Sequence, residues 1–303
     1  MIFSSKIKTS LKLISSAFLL GQSAASIAED EIFLATLEQD KVVQVVNITN
    51  REGYDNQPHF TPDNKSLLYS AMFVDGDKAQ TDSMRFEIAT GKTINLTQSA
   101  ASEYSPTVMP NGKEFSVIYV GGDGRQRFSS YPLSGGKAKS LVAKLDKNFA
   151  DIGYHIWLNK SELLMFVLAQ PMQLQRVNLA SGKAEIIDTD IGRTLRKVPN
   201  KNLFSYNKAN AQQWQMQLFD PITNKSQASV TLPQENMYYA WHTDGRLISA
   251  TGAKLVVNTL QMGNAKWQDW HDFSAYCNGS ITRLTMSSNS EYIAFVCNTT
   301  DKP

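Results

Sequence analysis

Two kinds of hairpin turn alternate along this chain from one end to the other, and that alternation restricts the fold more than any single residue does. One kind follows a run clearest as Pro58-His59-Phe60-Thr61-Pro62-Asp63, and it recurs at Asp63, Asn111, Asn159, Asn200, Asp244 and Asn289. The other ends in a lysine, at Lys41, Lys92, Lys137, Lys183, Lys225 and Lys266, as in Ala89-Thr90-Gly91-Lys92 and Ala180-Ser181-Gly182-Lys183. Gly, Asn and Asp at such positions supply the backbone conformations that tight turns need. Six turns of each kind make six repeats, and the first kind returns at intervals of 48, 48, 41, 44 and 45 residues.

Between the turns the sequence has the character of strands. Short apolar, β-branched and aromatic runs follow each turn of the first kind, at residues 66–73, 114–120, 162–168, 202–207, 246–251 and 291–297. Longer runs in which apolar and polar residues partly alternate lead into the lysine turns, as in 213–220 and 254–261, which is the period of a half-buried strand. Each repeat is therefore four strands, and a repeat of about 40–50 residues with four strands is the size of one propeller blade. The expected fold is all-β, a six-bladed β-propeller over residues 29–303, with no helix required. The first turn in the chain is a lysine turn and the last is of the other kind, so the ring opens and closes inside one blade. Residues 32–37 and 42–49 should supply the two outer strands of a blade whose inner strands are 280–284 and 291–297, so that N-terminal strands close the last blade and remove free sheet edges.

The N-terminus has a different character. Lys6, Lys8 and Lys12 precede an apolar stretch from Leu13 to Leu20, then small residues up to Ser26-Ile27-Ala28. That is the pattern of a secretory signal peptide over residues 1–28, its apolar run shorter than a bilayer span. A periplasmic or secreted protein without a stable membrane span is expected. A net charge of +2 with no dense Lys/Arg stretch argues against nucleic acid as a partner. Cys277 and Cys297 are the only cysteines. Both fall in the closing blade of a chain bound for an oxidising compartment, and a disulfide between them is open, with two buried thiols as the alternative.

The segments Asn47-Ile48-Thr49-Asn50 and Gly53-Tyr54-Asp55-Asn56-Gln57-Pro58-His59-Phe60-Thr61-Pro62-Asp63 resemble the Pro-Asp repeat of TolB-like, WD40-like (PD40) propellers. A second copy, Asn95-Leu96-Thr97 with Glu103-Tyr104-Ser105-Pro106-Thr107-Val108-Met109-Pro110-Asn111, is similar. Later repeats keep only the turn and the apolar runs. The resemblance implies recognition of a protein partner at the ring face or channel mouth. It is a resemblance to the propeller alone, with no room before it for the additional domain of TolB itself. Some relatives carry a serine-peptidase domain, but no Gly-x-Ser-x-Gly elbow is present here.

Alignment on the turns brings candidate site residues into register. Asp55, Glu103 and Asp151 share one position just before the innermost strand, where they would crowd a channel mouth and attract a cation or a basic segment. The plainer alternative is that each carboxylate accepts hydrogen bonds within its own loop. A second register position carries His59, Thr107, His155, Arg196, Ala240 and Thr285 in the successive blades. Two histidines there raise the competing idea of a metal-dependent channel enzyme of the polysaccharide-lyase type with a divalent cation, although metal sites ordinarily need three or four ligands. Aromatics concentrate in the last three blades, at Trp214, Tyr238, Tyr239, Trp241, Trp267, Trp270, Phe273 and Tyr276. The expectation is a monomeric, non-enzymatic binding protein with no cofactor, a protein partner in preference to a glycan, and binding residues among Asp55, Glu103, Asp151, His59, His155 and Arg196.

Overall fold

The computed structural model describes residues 29–299 apart from 77, 143, 146–148, 235 and 261–265; the signal peptide expected over residues 1–28 lies outside the described residues. These residues form twenty-four strands in six four-stranded antiparallel sheets, the six blades of a propeller. The chain opens with β1 (Glu29–Glu38) and β2 (Lys41–Asn47), the outer strands of blade 6. Blade 1 follows as β3 (Asp55–Phe60), β4 (Ser66–Asp75), β5 (Lys78–Glu87) and β6 (Lys92–Asn95). Blade 2 is β7 (Ser102–Val108), β8 (Glu114–Val120), β9 (Gln126–Pro132) and the short β10 (Lys139–Ser140). Blade 3 is β11 (Ile152–Trp157), β12 (Glu162–Val167), β13 (Gln173–Asn178) and β14 (Lys183–Thr189). Blade 4 is β15 (Ile191–Lys197), β16 (Phe204–Asn210), β17 (Gln213–Asp220) and β18 (Lys225–Thr231). Blade 5 is β19 (Ala240–Trp241), β20 (Leu247–Thr251), β21 (Lys254–Asn258) and β22 (Gln268–Asp272), and β23 (Ser280–Met286) with β24 (Tyr292–Thr299) completes blade 6.

The ring is sealed where the turn order places the seal. β1 pairs antiparallel with β24 from Glu29↔Thr299 to Thr36↔Tyr292, so blade 6 is built from both ends of the described chain. Cys277, in the connection before β23, is bonded to Cys297 of β24 with Cα atoms 5.6 Å apart. Closing that 20-residue separation restricts the unfolded chain by about 3 kcal/mol on the loop-entropy account.

Strand alternation explains how the blades hold together. Along β24, Ile293, Phe295 and Cys297 face blade 5, while Ala294 and Val296 face blade 1. In β4 the same period sends Leu67 and Tyr69 toward blade 6 and Leu68 toward blade 2. The buried apolar residues thus divide into six clusters, one in each space between neighbouring blades. With both faces of a blade covered, its strands lose the polar face of a simple half-buried sheet. The innermost strands β3, β7, β11, β15, β19 and β23 are left to line the axis, each the first strand of its sheet.

Turn residues add stitches between blades on one face. Asn64 Nδ2 donates to Ser288 Oγ at 2.9 Å, Thr243 N donates to Ser290 Oγ at 3.0 Å, and Asn200 Nδ2 donates to the Thr243 carbonyl at 3.1 Å. The left-handed conformations at Asn64 (φ 57°), Asn200 (φ 57°) and Gly245 (φ 92°) let the chain reverse tightly at these turns.

Candidate functional site: the central channel

A channel of about 480 Å³ runs along the axis and takes lining residues from all six blades. Its middle layer is the register position seen in the sequence: His59, Thr107, His155, Arg196, Ala240 and Thr285 all line it. Each lies on, or beside the turn end of, an innermost strand, and equal distance from the turn puts equal positions at equal depth.

The next layer departs from simple alternation. Five of the six innermost strands carry a register shift, at Asn56/His59, Tyr104/Thr107, Ile152/Tyr154, Ile191/Leu195 and Ile281/Leu284. Such bulges re-aim side chains. Gln57 (φ 60°) and Ser105 (φ 54°) sit in left-handed backbone at two of them, and Gln57 Oε1 accepts from Ser105 N at 2.6 Å and from Ser70 Oγ at 3.1 Å. In blade 3 the shift brings Tyr154 into the channel, opposite Arg283 of blade 6.

Arg283 spans the axis. It leaves β23 and donates from Nη2 to Tyr154 Oη at 2.8 Å on the diametrically opposite blade. Its guanidinium lies 5.1 Å from the Tyr154 ring centroid and 4.4 Å from that of Tyr238 in blade 5, positions in which the aromatic faces attract the cation. Arg196 of blade 4 reaches the same region: Nη2 donates to the Leu284 carbonyl at 2.9 Å and Nε to the Tyr239 carbonyl at 3.3 Å. Burial lowers the Arg196 guanidinium to about 10, with Arg283 acting in the same direction, so it remains a cation at neutral pH.

Both channel histidines are neutral there. Burial and the nearby Arg196 charge lower His59 to about 4, while its Nδ1 is hydrogen-bonded to the Phe60 carbonyl at 2.9 Å. Burial, with a contribution from His59, lowers His155 to about 3. His155 Nε2 is 2.7 Å from Ser116 Oγ, which also accepts from Trp157 Nε1 at 2.9 Å, and its ring stands edge-on to Phe128 with centroids 4.5 Å apart. A divalent cation does not fit this donor set. Only two imidazoles reach the layer, the charge acting on His59 is a guanidinium, and among the described residues no carboxylate lines the channel. Among the described residues no group of three or more His, Cys, Asp or Glu side chains could hold a metal ion.

The acidic trio occupies its shared register position without forming a channel site. Asp55 is fully buried and paired with Arg51 of the preceding connection, Oδ1 to Nη2 at 2.8 Å; burial raises it to about 6 against the opposing effect of Arg51. Glu103 is fully buried and accepts from Ser99 Oγ at 2.6 Å and Tyr131 Oη at 2.7 Å; burial again raises it, opposed by those hydrogen bonds. Asp151 is paired with Arg125 at the molecular surface. The expectation of three carboxylates crowding a mouth is therefore corrected. Asp55 and Glu103 are held by their own blade or the connection leading into it, Asp151 by a residue of the β8–β9 connection in blade 2, and none of the three lines the channel.

Of the other expected features, Tyr238 and Trp241 reach the channel, with Trp241 Nε1 donating to Ser205 Oγ at 2.9 Å. Trp267 and Trp270 are half-buried at the outer edge, where Trp267 Nε1 donates to the Thr231 carbonyl at 2.9 Å and Arg246 lies 5.5 Å over the Trp270 ring. Arg283 and Tyr154 were not singled out from the sequence. Arg283 sits two residues before the aligned Thr285, so the period of a strand pointed to it; Tyr154 needed the bulge.

No family profile and no curated protein matches this sequence. Among solved structures, a protein assigned as TolB from Agrobacterium tumefaciens superposes with a TM-score of 0.65 at 12% identity, over 89% of this chain and 98% of the other. A gluconolactonase from Xanthomonas campestris gives 0.62 at 10% identity, covering 91% and 92%. An oligogalacturonate lyase in complex with manganese gives 0.55 at 14% identity, covering 84% and 79%. The similarity establishes the six-bladed propeller fold, which these differently named proteins share.

Proposed function

We propose that this chain is a periplasmic or secreted, monomeric, non-enzymatic binding module that receives a protein partner, in preference to a glycan, at the mouth and lining of its central channel. The observation that carries this reading is a preformed channel lined from all six blades and by three arginines, with no carboxylate in the lining among the described residues. Preformed pockets with a few convergent polar groups are the usual form of a recognition site. Secretion rests on the sequence of residues 1–28, and no helix among the described residues is long and apolar enough to cross a membrane.

The competing reading, a metal-dependent lyase, draws on His59 and His155 both lining the channel. It is weakened by a donor set that does not suit a divalent cation and by imidazoles too strongly depressed to serve as good bases near neutral pH. Two measurements separate the readings. Metal analysis of the purified protein and its His59→Ala variant is expected to show no stoichiometric metal in either. A partner co-purified with the wild type should be lost from Thr107→Trp, which fills the channel from blade 2. Stoichiometric metal lost on His59→Ala, with cleavage of oligogalacturonate, would overturn the binding reading.

A further inference from the structure

The sequence contains nine arginines, and their pairing divides them sharply. Arg51, Arg85, Arg125, Arg127, Arg176 and Arg246 each contact an Asp or Glu. Arg193, Arg196 and Arg283 have no carboxylate partner among the described residues, and all three line the channel. Arg196 spends its hydrogen bonds on the carbonyls of Tyr239, Leu195 and Leu284; Arg283 rests on two tyrosines. An enclosed guanidinium without a counter-ion is costly to fold around. A fold that retains two of them in one cavity, held by groups that orient charge without neutralising it, leaves the cavity complementary to an anion.

We infer that the channel recognises a carboxylate, seated between Arg196 and Arg283, on the ligand of the binding module proposed above. Of its five N–H groups Arg196 gives three to carbonyls, and those left on Nη1 and Nη2, with the guanidinium of Arg283, suit the planar, two-oxygen geometry of that group. Arg196 ends on the carbonyl of Leu284, the residue next to Arg283, so the two forks converge on one region of the axis. The tyrosine rings that hold Arg283 give the rest of the ligand an aromatic wall. The inference rests on the channel being the binding surface. Its chemistry admits two sources, an acidic peptide segment or an acidic sugar.

The test uses four probes on the purified protein: glucuronate against glucose, and a glutamate-rich peptide against the same peptide with glutamine. Binding is read by calorimetry and by the rise in Tm. An acid probe should bind and its neutral counterpart should not; which acid binds identifies the source. Arg196→Gln and Arg283→Gln should each weaken that binding about tenfold or more, the size expected for losing a hydrogen bond to a charged group. Without ligand, Arg196→Met and Arg283→Met should melt at or above the wild-type temperature. Equal binding of acid and neutral probes, with loss in Thr107→Trp, would overturn the carboxylate while leaving the channel as the binding site. No binding of either acid would overturn it as well, the co-purification test then standing alone for the module. Melting well below wild type in both methionine variants would make the arginines structural struts and refute the inference.

Discussion

The carboxylates at the start of the inner strands in blades 1 and 2 and the arginines on the inner strands of blades 4 and 6 occupy comparable parts of the ring, yet they meet opposite fates. Asp55 and Glu103 are fully buried, and their partners Arg51, Ser99 and Tyr131 come from the same blade or the connection leading into it. Arg196 reaches to blades 5 and 6 and Arg283 across the axis to blade 3, and they meet carbonyls, a tyrosine hydroxyl and aromatic rings but no carboxylate. The first pair ties a connection to its blade and is architecture. The second is charge left unneutralised in a cavity. Burial alone does not separate the two roles; the origin and charge of the partner do.

The largest effect should come from opening the ring on which both groups depend. Deleting residues 29–50 removes β1 and β2, strips β24 of its outer partner while β23 remains, and uncovers the clusters that Ile32, Leu34, Phe33 and Ala35 complete. The product should be insoluble or unfold far earlier than the full protein; a soluble deletion with unchanged melting would refute the closure.

Next in size is the gap between the two groups themselves. Glu103→Ala leaves the buried Tyr131 hydroxyl without its acceptor and frees the connection at Ser99, so urea unfolding should show a loss of about 3 kcal/mol. Arg283→Met in the same assay should be close to neutral, because the lost contact to Tyr154 is offset by removing an unpaired charge. Similar losses in both would erase the distinction.

Titration sharpens the comparison because its two signs oppose each other. His59 and His155 lie below their ordinary range, at about 4 and about 3. The unfolded chain therefore binds more protons below about pH 6.5, and the stability they contribute is present above that pH and lost as pH falls toward 4. Asp55 is raised to about 6, so its contribution is present below about pH 4 and lost as pH rises through 6. Wild type should lose stability on acidification from pH 6.5 to 4, and the His59→Asn, His155→Asn double variant should lose less, by at most about 3 kcal/mol per histidine. An unaltered pH slope in denaturant unfolding of the double variant would show that the histidines are not held neutral.

Much of this was legible in the sequence, and what was not has a physical cause. The blade count, the closing blade and the layer from His59 through Thr285 follow from turn spacing, because a turn fixes the register of the strand behind it. Tyr154 escaped notice because the bulge at Ile152/Tyr154 breaks the two-residue period. The acidic trio was found in register but misjudged in chemistry. Arg51, Ser99 and Arg125 lie in connections and loops that carry no repeat, so nothing in the periodicity announced them.

The smallest effect tests the comparison within the trio itself. Asp151 shares the register of Glu103, but its side chain is 28% exposed and its partner Arg125 is 45% exposed. Water screens such a pair, and ordering two surface side chains offsets part of the attraction, so exposed ion pairs are worth about 0–1 kcal/mol. Asp151→Ala should therefore change unfolding free energy by less than about 1 kcal/mol, while Glu103→Ala costs about three times as much. If Asp151→Ala proved as damaging as Glu103→Ala, register position rather than burial and partner would govern the role of these carboxylates, and the contrast with the channel arginines would need another basis.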